Sequence, residues 1–168
     1  MADATQSTTP DDFMPKLRNY LAGELQQDPS TVVIGVDETG DVKPHWVGDE
    51  MIFLVLKNPL PVNVNAGAGR RGFPLKRQLV VKVRNRGGLD EAGQDEIALT
   101  AHWKLQDEVI NALLVKEHTQ DKTKDFPFLQ PIQYLGGGDD VRRLKDTASA
   151  YESILVFQIN YQPKVKVS

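Results

Sequence analysis

Between Leu75 and Arg86 the chain alternates in a way that fixes its local form. Leu75, Leu79, Val81 and Val83 fall on one side, with Arg77 as the exception; Lys76, Gln78, Val80, Lys82, Arg84 and Arg86 fall on the other. A period of two is that of a β-strand with one apolar and one wet face. Gly87-Gly88 breaks the strand, and residues 90–117 then read as one long helix. Leu99, Trp103, Ile110, Leu113 and Leu114 make one apolar stripe, with Val109 at its edge, while Ile97, Ala101, Leu105 and Ala112 lie opposite. A helix apolar on two sides is expected to be buried twice, against its own sheet and against the first helix or a neighbouring subunit.

The same region is strongly basic. Arg70, Arg71, Lys76, Arg77, Lys82, Arg84 and Arg86 follow one another with no acid between them, and the first two sit in the loop Gly67-Ala68-Gly69-Arg70-Arg71-Gly72. Gly67-x-Gly69-x-x-Gly72 matches a dinucleotide-binding pattern by letter. That chemistry needs a strand before the glycines and a helix N-terminus after them, whereas Phe73-Pro74 and a basic strand follow here. No Gly-Lys-Ser/Thr follows either, so a phosphate-cradling Walker loop is excluded. Three readings of the loop stay open: a hairpin tip without function, an inter-subunit or lumen-facing loop, or a nucleic-acid contact in which arginines grip phosphates.

The remaining elements fit around this centre. Thr9-Pro10-Asp11-Asp12 is a helix start, and Phe13, Leu17, Leu21 and Leu25 give an amphipathic helix ending near Gln27. Pro15 falls within its first turns. Thr31–Val36 is a β-branched strand, and Met51–Leu56 is apolar enough to be buried on both faces. Val62–Phe73 is a long loop, Phe126–Leu135 an extended or edge segment, Gly136–Asp140 a turn, and Val141–Ala148 a short helix. Ser153–Tyr161 is the strongest strand, closed by Pro163. The order predicts an α+β domain with a mostly antiparallel sheet of about four to five strands and two main helices on one face. Residues 1–9 read as a flexible arm and 10–168 as one domain, carrying the long loop 61–74 and the extended insert 119–150.

Composition narrows the chemistry. The 168 residues contain no cysteine, which excludes disulfides, thiolate metal sites and cysteine nucleophiles. No apolar run approaches a bilayer span, and Met1–Thr9 lacks an apolar signal core, so a soluble, non-secreted protein is expected. The net charge of −3 conceals an asymmetry: residues 70–86 are basic, while 37–50 and 89–96 lean acidic. Neighbouring copies could attract one another, positive loop to negative flank; the alternative is a solvated surface of mixed charge. His45, His102 and His118 show no metal-ligand spacing. The acid pairs Asp37-Glu38, Asp49-Glu50 and Asp139-Asp140 read as turn formers, and no serine sits in a nucleophile elbow. No catalytic residue, cofactor or metal is therefore expected. Trp46 and Trp103 are candidate interface anchors.

Three stretches carry a family likeness. They are the opening helix Phe13-Met14-Pro15-Lys16-Leu17-Arg18-Asn19-Tyr20-Leu21, the strand Leu79–Arg84 feeding the helix with Trp103-Lys104-Leu105-Gln106-Asp107, and the closing strand Ile154–Tyr161. Spanning most of residues 12–162, this order resembles the tail terminator, or tail-to-head joining, proteins of long-tailed bacteriophages. The resemblance implies a non-enzymatic structural protein of the virion neck, made in the host cytoplasm. It would form a homo-oligomeric, six-fold ring that ends the tail tube and meets the head connector, with genomic DNA passing through its lumen and no membrane involved. Loop 61–74 would face the lumen or a neighbouring ring, and Arg70, Arg71, Lys76, Arg77, Lys82, Arg84 and Arg86 would meet DNA or an acidic partner. The alternative from the residues alone is a small nucleic-acid-binding module using the basic strand 70–86.

Overall fold

The computed structural model describes residues 7–35, 50–62, 74–86, 94–114, 126–143 and 150–164. The Gly/Arg loop with Arg70 and Arg71, Trp46, His45, His118 and the acid pair Asp37-Glu38 lie outside them.

Helix α1 (Pro10–Glu24) starts where the cap signals put it. The Thr9 carbonyl accepts the Asp12 and Phe13 N–H groups at 2.9 and 3.1 Å, and its hydroxyl donates to Asp12 Oδ2 at 3.0 Å. Pro15 lies inside the helix, removing one N–H without displacing the start. Gln26, at φ 54°, turns the chain out of the helix slightly earlier than expected. Phe13, Leu17 and Leu21 are fully buried, as their spacing required.

Among the described residues, seven strands form one sheet: β1 (Ser7–Thr8), β2 (Val32–Ile34), β3 (Glu50–Leu56), β4 (Leu60–Pro61), β5 (Leu75–Arg86), β6 (Gln133–Arg143) and β7 (Ala150–Pro163). The main path is β1-β7-β5-β3-β2, with β4 pairing β5 beyond the end of β3 and β6 pairing β7. The β3-β5, β4-β5, β5-β7 and β6-β7 pairs are antiparallel, but β1-β7 and β2-β3 are parallel. The sheet is therefore mixed, not mostly antiparallel, and has more strands than expected. Length explains part of this: residues 35–49 separate β2 from β3, enough for a crossover that a hairpin turn could not make.

The expected turn Gly136–Asp140, and the start of the expected helix after it, are instead part of β6. This strand carries three register shifts against β7, and Gly136 takes φ 114° at the first of them. Bulges accommodate a glycine run in a strand, and a bulged edge also resists unwanted pairing. The insert is thus partly structural: Phe126 and Ile132 enter the core, and Phe126 meets Tyr20 edge-on at 5.2 Å.

Helix α2 (Gln94–Leu114) and α1 pack on the same face of the sheet. The core joins Phe13, Leu17 and Leu21 to Leu105, Val109 and Leu113, over Val81, Val83, Phe157 and Ile159. Phe13 lies 5.2 Å from both Phe128 and Tyr161, so the first helix, the insert and the last strand meet there. The buried stripe of α2 is Ala98, His102, Leu105, Val109, Ala112 and Leu113, not either predicted stripe. Leu99, Ile110 and Leu114 flank it half-buried, while Trp103 and Ile97 remain 49% and 62% exposed. A histidine occupies the middle of the buried stripe, which hydropathy alone would not place there.

Candidate functional site

The alternation of β5 sends its cations to two faces. Arg77 turns to the helix side, where Nε donates to Tyr161 Oη at 2.8 Å and Nη1 to the Lys57 carbonyl at 3.3 Å. Lys76, Lys82 and Arg84 lie on the face without helices. Arg84 is 4% exposed, forms an ion pair with Glu152, its cross-strand partner, and lies 4.9 Å over the Phe53 ring. Arg86 is described through its backbone, which pairs with Ala150. The run is not one continuous basic surface. Glu152 is 68 residues from Arg84 in sequence, so only strand register reveals their neutralising contact.

That register maps the helix-free face row by row. Met51, Arg84 and Glu152 form one row, Phe53, Lys82 and Ile154 the next, then Val55, Val80 and Val156, then Gln78, Gln158 and Gln133. Lys57, whose N–H bonds the Gln78 carbonyl at 2.9 Å, continues the β3 column, and Lys76 faces Asn160. The face runs from sealed to open along the strands. Met51, Phe53, Arg84 and Glu152 are buried, the valine row is half-buried, and Gln78, Gln133 and Lys57 are exposed. Its open half carries Lys57, Lys76 and Lys82, and Asp139 of β6 stands opposite Ile154 in the Lys82 row. The outward stripe of α2, on the opposite side of the molecule, carries Glu96, Trp103 and Asp107, all exposed.

A second polar arrangement lies between α2 and the sheet. Asn85 Nδ2 donates to the Ala98 carbonyl at 3.1 Å, which leaves Asn85 Oδ1 to accept from His102 Nδ1. His102 Nε2 then accepts the Ser153 hydroxyl proton at 2.9 Å, and Ser153 Oγ accepts from Gln106 Nε2 at 2.7 Å. Each donor in this chain meets one acceptor when the imidazole is neutral. Burial pushes the His102 pKa down to about 4, against an upward pull from Glu152.

Ser153, His102 and Asn85 thus stand in the order of a nucleophile, base and orienter. Their surroundings do not suit that chemistry. His102 is fully buried, Ser153 and Asn85 are each 2% exposed, and Gln106 occupies the hydroxyl a substrate would approach. The arrangement joins helix to sheet. Composition could not have separated it from an unremarkable histidine, because its members lie on three elements.

A shallow groove of about 550 Å³ runs between the end of α2 and β6, lined by Leu114, Pro131, Ile132, Gln133, Tyr134 and Leu135. It presents apolar surface and no acid–base pair. Among the described residues no cluster of histidine and carboxylate side chains could hold a metal, and no helix is long and apolar enough to cross a membrane.

No family model and no curated protein matches the chain. A solved structure described as the virion of a native gene transfer agent particle contains a similar chain. The match covers 89% of this chain and 97% of that one, at 14% identity and a TM-score of 0.49. At that degree of overlap, function is argued from the residues of this chain.

Proposed function

We propose that the chain is a structural protein of a tailed-phage virion, acting in the neck as a ring that ends the tail tube and joins it to the head connector. The observation that carries this reading is the half-open face of the sheet. A valine row framed by lysines and glutamines, uncovered by either helix, is suited to docking against protein rather than to enclosing a substrate. The sequence resemblance supplies the kind of assembly, with DNA passing through the lumen without sequence-specific contact. The chain would then do no catalysis; among the described residues, the nucleophile–base arrangement of Ser153 and His102 is sealed inside the fold.

The test is the mass in solution of the purified protein by light scattering, with negative-stain imaging, alone and with tail tubes. A particle near six times 18.7 kDa, or its appearance on tube ends, is the expected result. A monomer that neither assembles nor caps tubes would refute the reading.

A further inference from the structure

The two outer faces of this molecule are complementary, and their features share a spacing. On α2, Trp103 and Asp107 are one turn apart, about 6 Å along the axis, and Glu96 lies about 10 Å the other way. On the open sheet face, Lys82 is two residues from Val80, about 7 Å along the strand, and the Lys57 row lies about 7 Å beyond Val80 on the other side. An acid–aromatic–acid stripe can therefore lie along a lysine–valine–lysine track, with end-to-end spans of about 16 and 14 Å.

We propose that the outward stripe of α2 in one copy docks on the open sheet face of the next. Trp103 would seat on the Val80 row, Asp107 would meet Lys82, and Glu96 would meet Lys57. The inference rests on the ring reading above and names its subunit contact. Charge complementarity selects a second copy as the occupant: the track presents Lys57 and Lys82 at its two ends, and the same chain carries a stripe of matching length with Glu96 and Asp107 at its ends and Trp103 between them. Trp103 is a large anchor left 49% exposed on a helix whose inner side is already filled. The geometry also restricts symmetry. The two surfaces lie on opposite sides of a two-layer molecule, so they cannot meet in a two-fold dimer. The contact is heterologous, and repetition closes a ring or extends a filament.

The chain has no cysteine, so engineered cysteines report without background. Lys82→Cys and Asp107→Cys would be made separately, checked for native circular dichroism, and oxidised alone and mixed. The expected result is disulfide-linked dimer in the mixture and none from either variant alone, with the double variant giving a ladder of higher species. No cross-link in the mixture, or equal cross-linking of Lys82→Cys with itself, would overturn the contact. A ring mass without the cross-link would overturn the contact but leave the ring reading standing; a monomer that neither cross-links nor caps tail tubes would overturn both. A second measurement avoids cysteine chemistry. Lys82→Glu and Asp107→Lys should each weaken assembly by about tenfold or more, and combining them should restore it. Failure of the combination to recover any assembly would count against the pairing.

Discussion

His102 Nε2 lies 2.9 Å from the Ser153 hydroxyl in a stretch of interior where neither residue is more than 2% exposed. A neutral imidazole completes a directed chain from Gln106 through Ser153 and His102 to Asn85 and the Ala98 carbonyl. A protonated ring would confront Ser153 with a second donor and strand the hydroxyl proton. The same geometry that resembles a catalytic arrangement is thus an internal tie between α2, β5 and β7.

The pH dependence of stability follows from this tie. The folded pKa of His102 is lowered to about 4 from an ordinary 6.5, so between these values the unfolded chain binds a proton that the folded chain refuses. Stability should rise with pH across this window and fall as pH drops through it, by up to about 3 kcal/mol from this residue. Denaturant midpoints from pH 4 to pH 7 measure the slope, and His102→Ala should flatten it. That variant should also lose about 1–3 kcal/mol at pH 7, because Asn85 Oδ1 and the Ser153 hydroxyl lose their partner. An unchanged slope in His102→Ala would assign the pH dependence elsewhere.

Arg84 and Glu152 make a second tie, on the opposite face of the sheet. Both are almost fully enclosed, and Arg84 also covers the Phe53 ring. Removing one charge leaves the other buried without its counterpart, so Glu152→Gln and Arg84→Met should each cost about 3–5 kcal/mol. Removing both charges in Arg84→Met/Glu152→Leu should cost much less than the sum. Urea denaturation of the four proteins gives the coupling directly. Additive losses would mean that each side chain is held mainly by other neighbours.

Gly136 is the residue on which the bulged course of β6 turns. Its φ of 114° is one that side chains rarely adopt, although nothing stands within 4 Å of the place a Cβ would take. Gly136→Ala should therefore be destabilising through the backbone alone, by about 1–2 kcal/mol. Gly138 is constrained differently: a Cβ there would lie 3.1 Å from Ile154 Cγ2. Thermal melts that place Gly136→Ala level with the natural chain would show that the bulge can relax.

These residues also mark how far the sequence was legible. The α1 start and the whole of β5 could be read locally, because a cap signal and a period of two need no distant partner. The glycine run and Pro131 pointed away from strand, yet β7 supplied a template that β6 follows with bulges. The face of α2 was misassigned because His102 buries as well as leucine once Asn85 and Ser153 satisfy it. The candidate site was legible only as a list of cations. Which ones reach the surface depended on the parity of β5 and on Glu152 arriving opposite Arg84.

That sorting of cations bears on nucleic-acid binding. If the open sheet face held DNA, Lys57, Lys76 and Lys82 would be its phosphate contacts, and Arg84 would add none. Neutralising Z phosphates gives a slope of about −0.9Z in log affinity against log salt, so three lysines give about −3 on duplex DNA. A contact of that size is weak at physiological ionic strength, and the isolated chain is expected to show no saturable binding there. Fluorescence anisotropy with a labelled duplex at several salt concentrations makes the test. Binding with a slope near −3 that Lys57→Gln/Lys76→Gln/Lys82→Gln abolishes would favour a nucleic-acid module over a docking face. A much steeper slope would require additional cations, and Arg70→Glu/Arg71→Glu would then show whether the Gly/Arg loop supplies them.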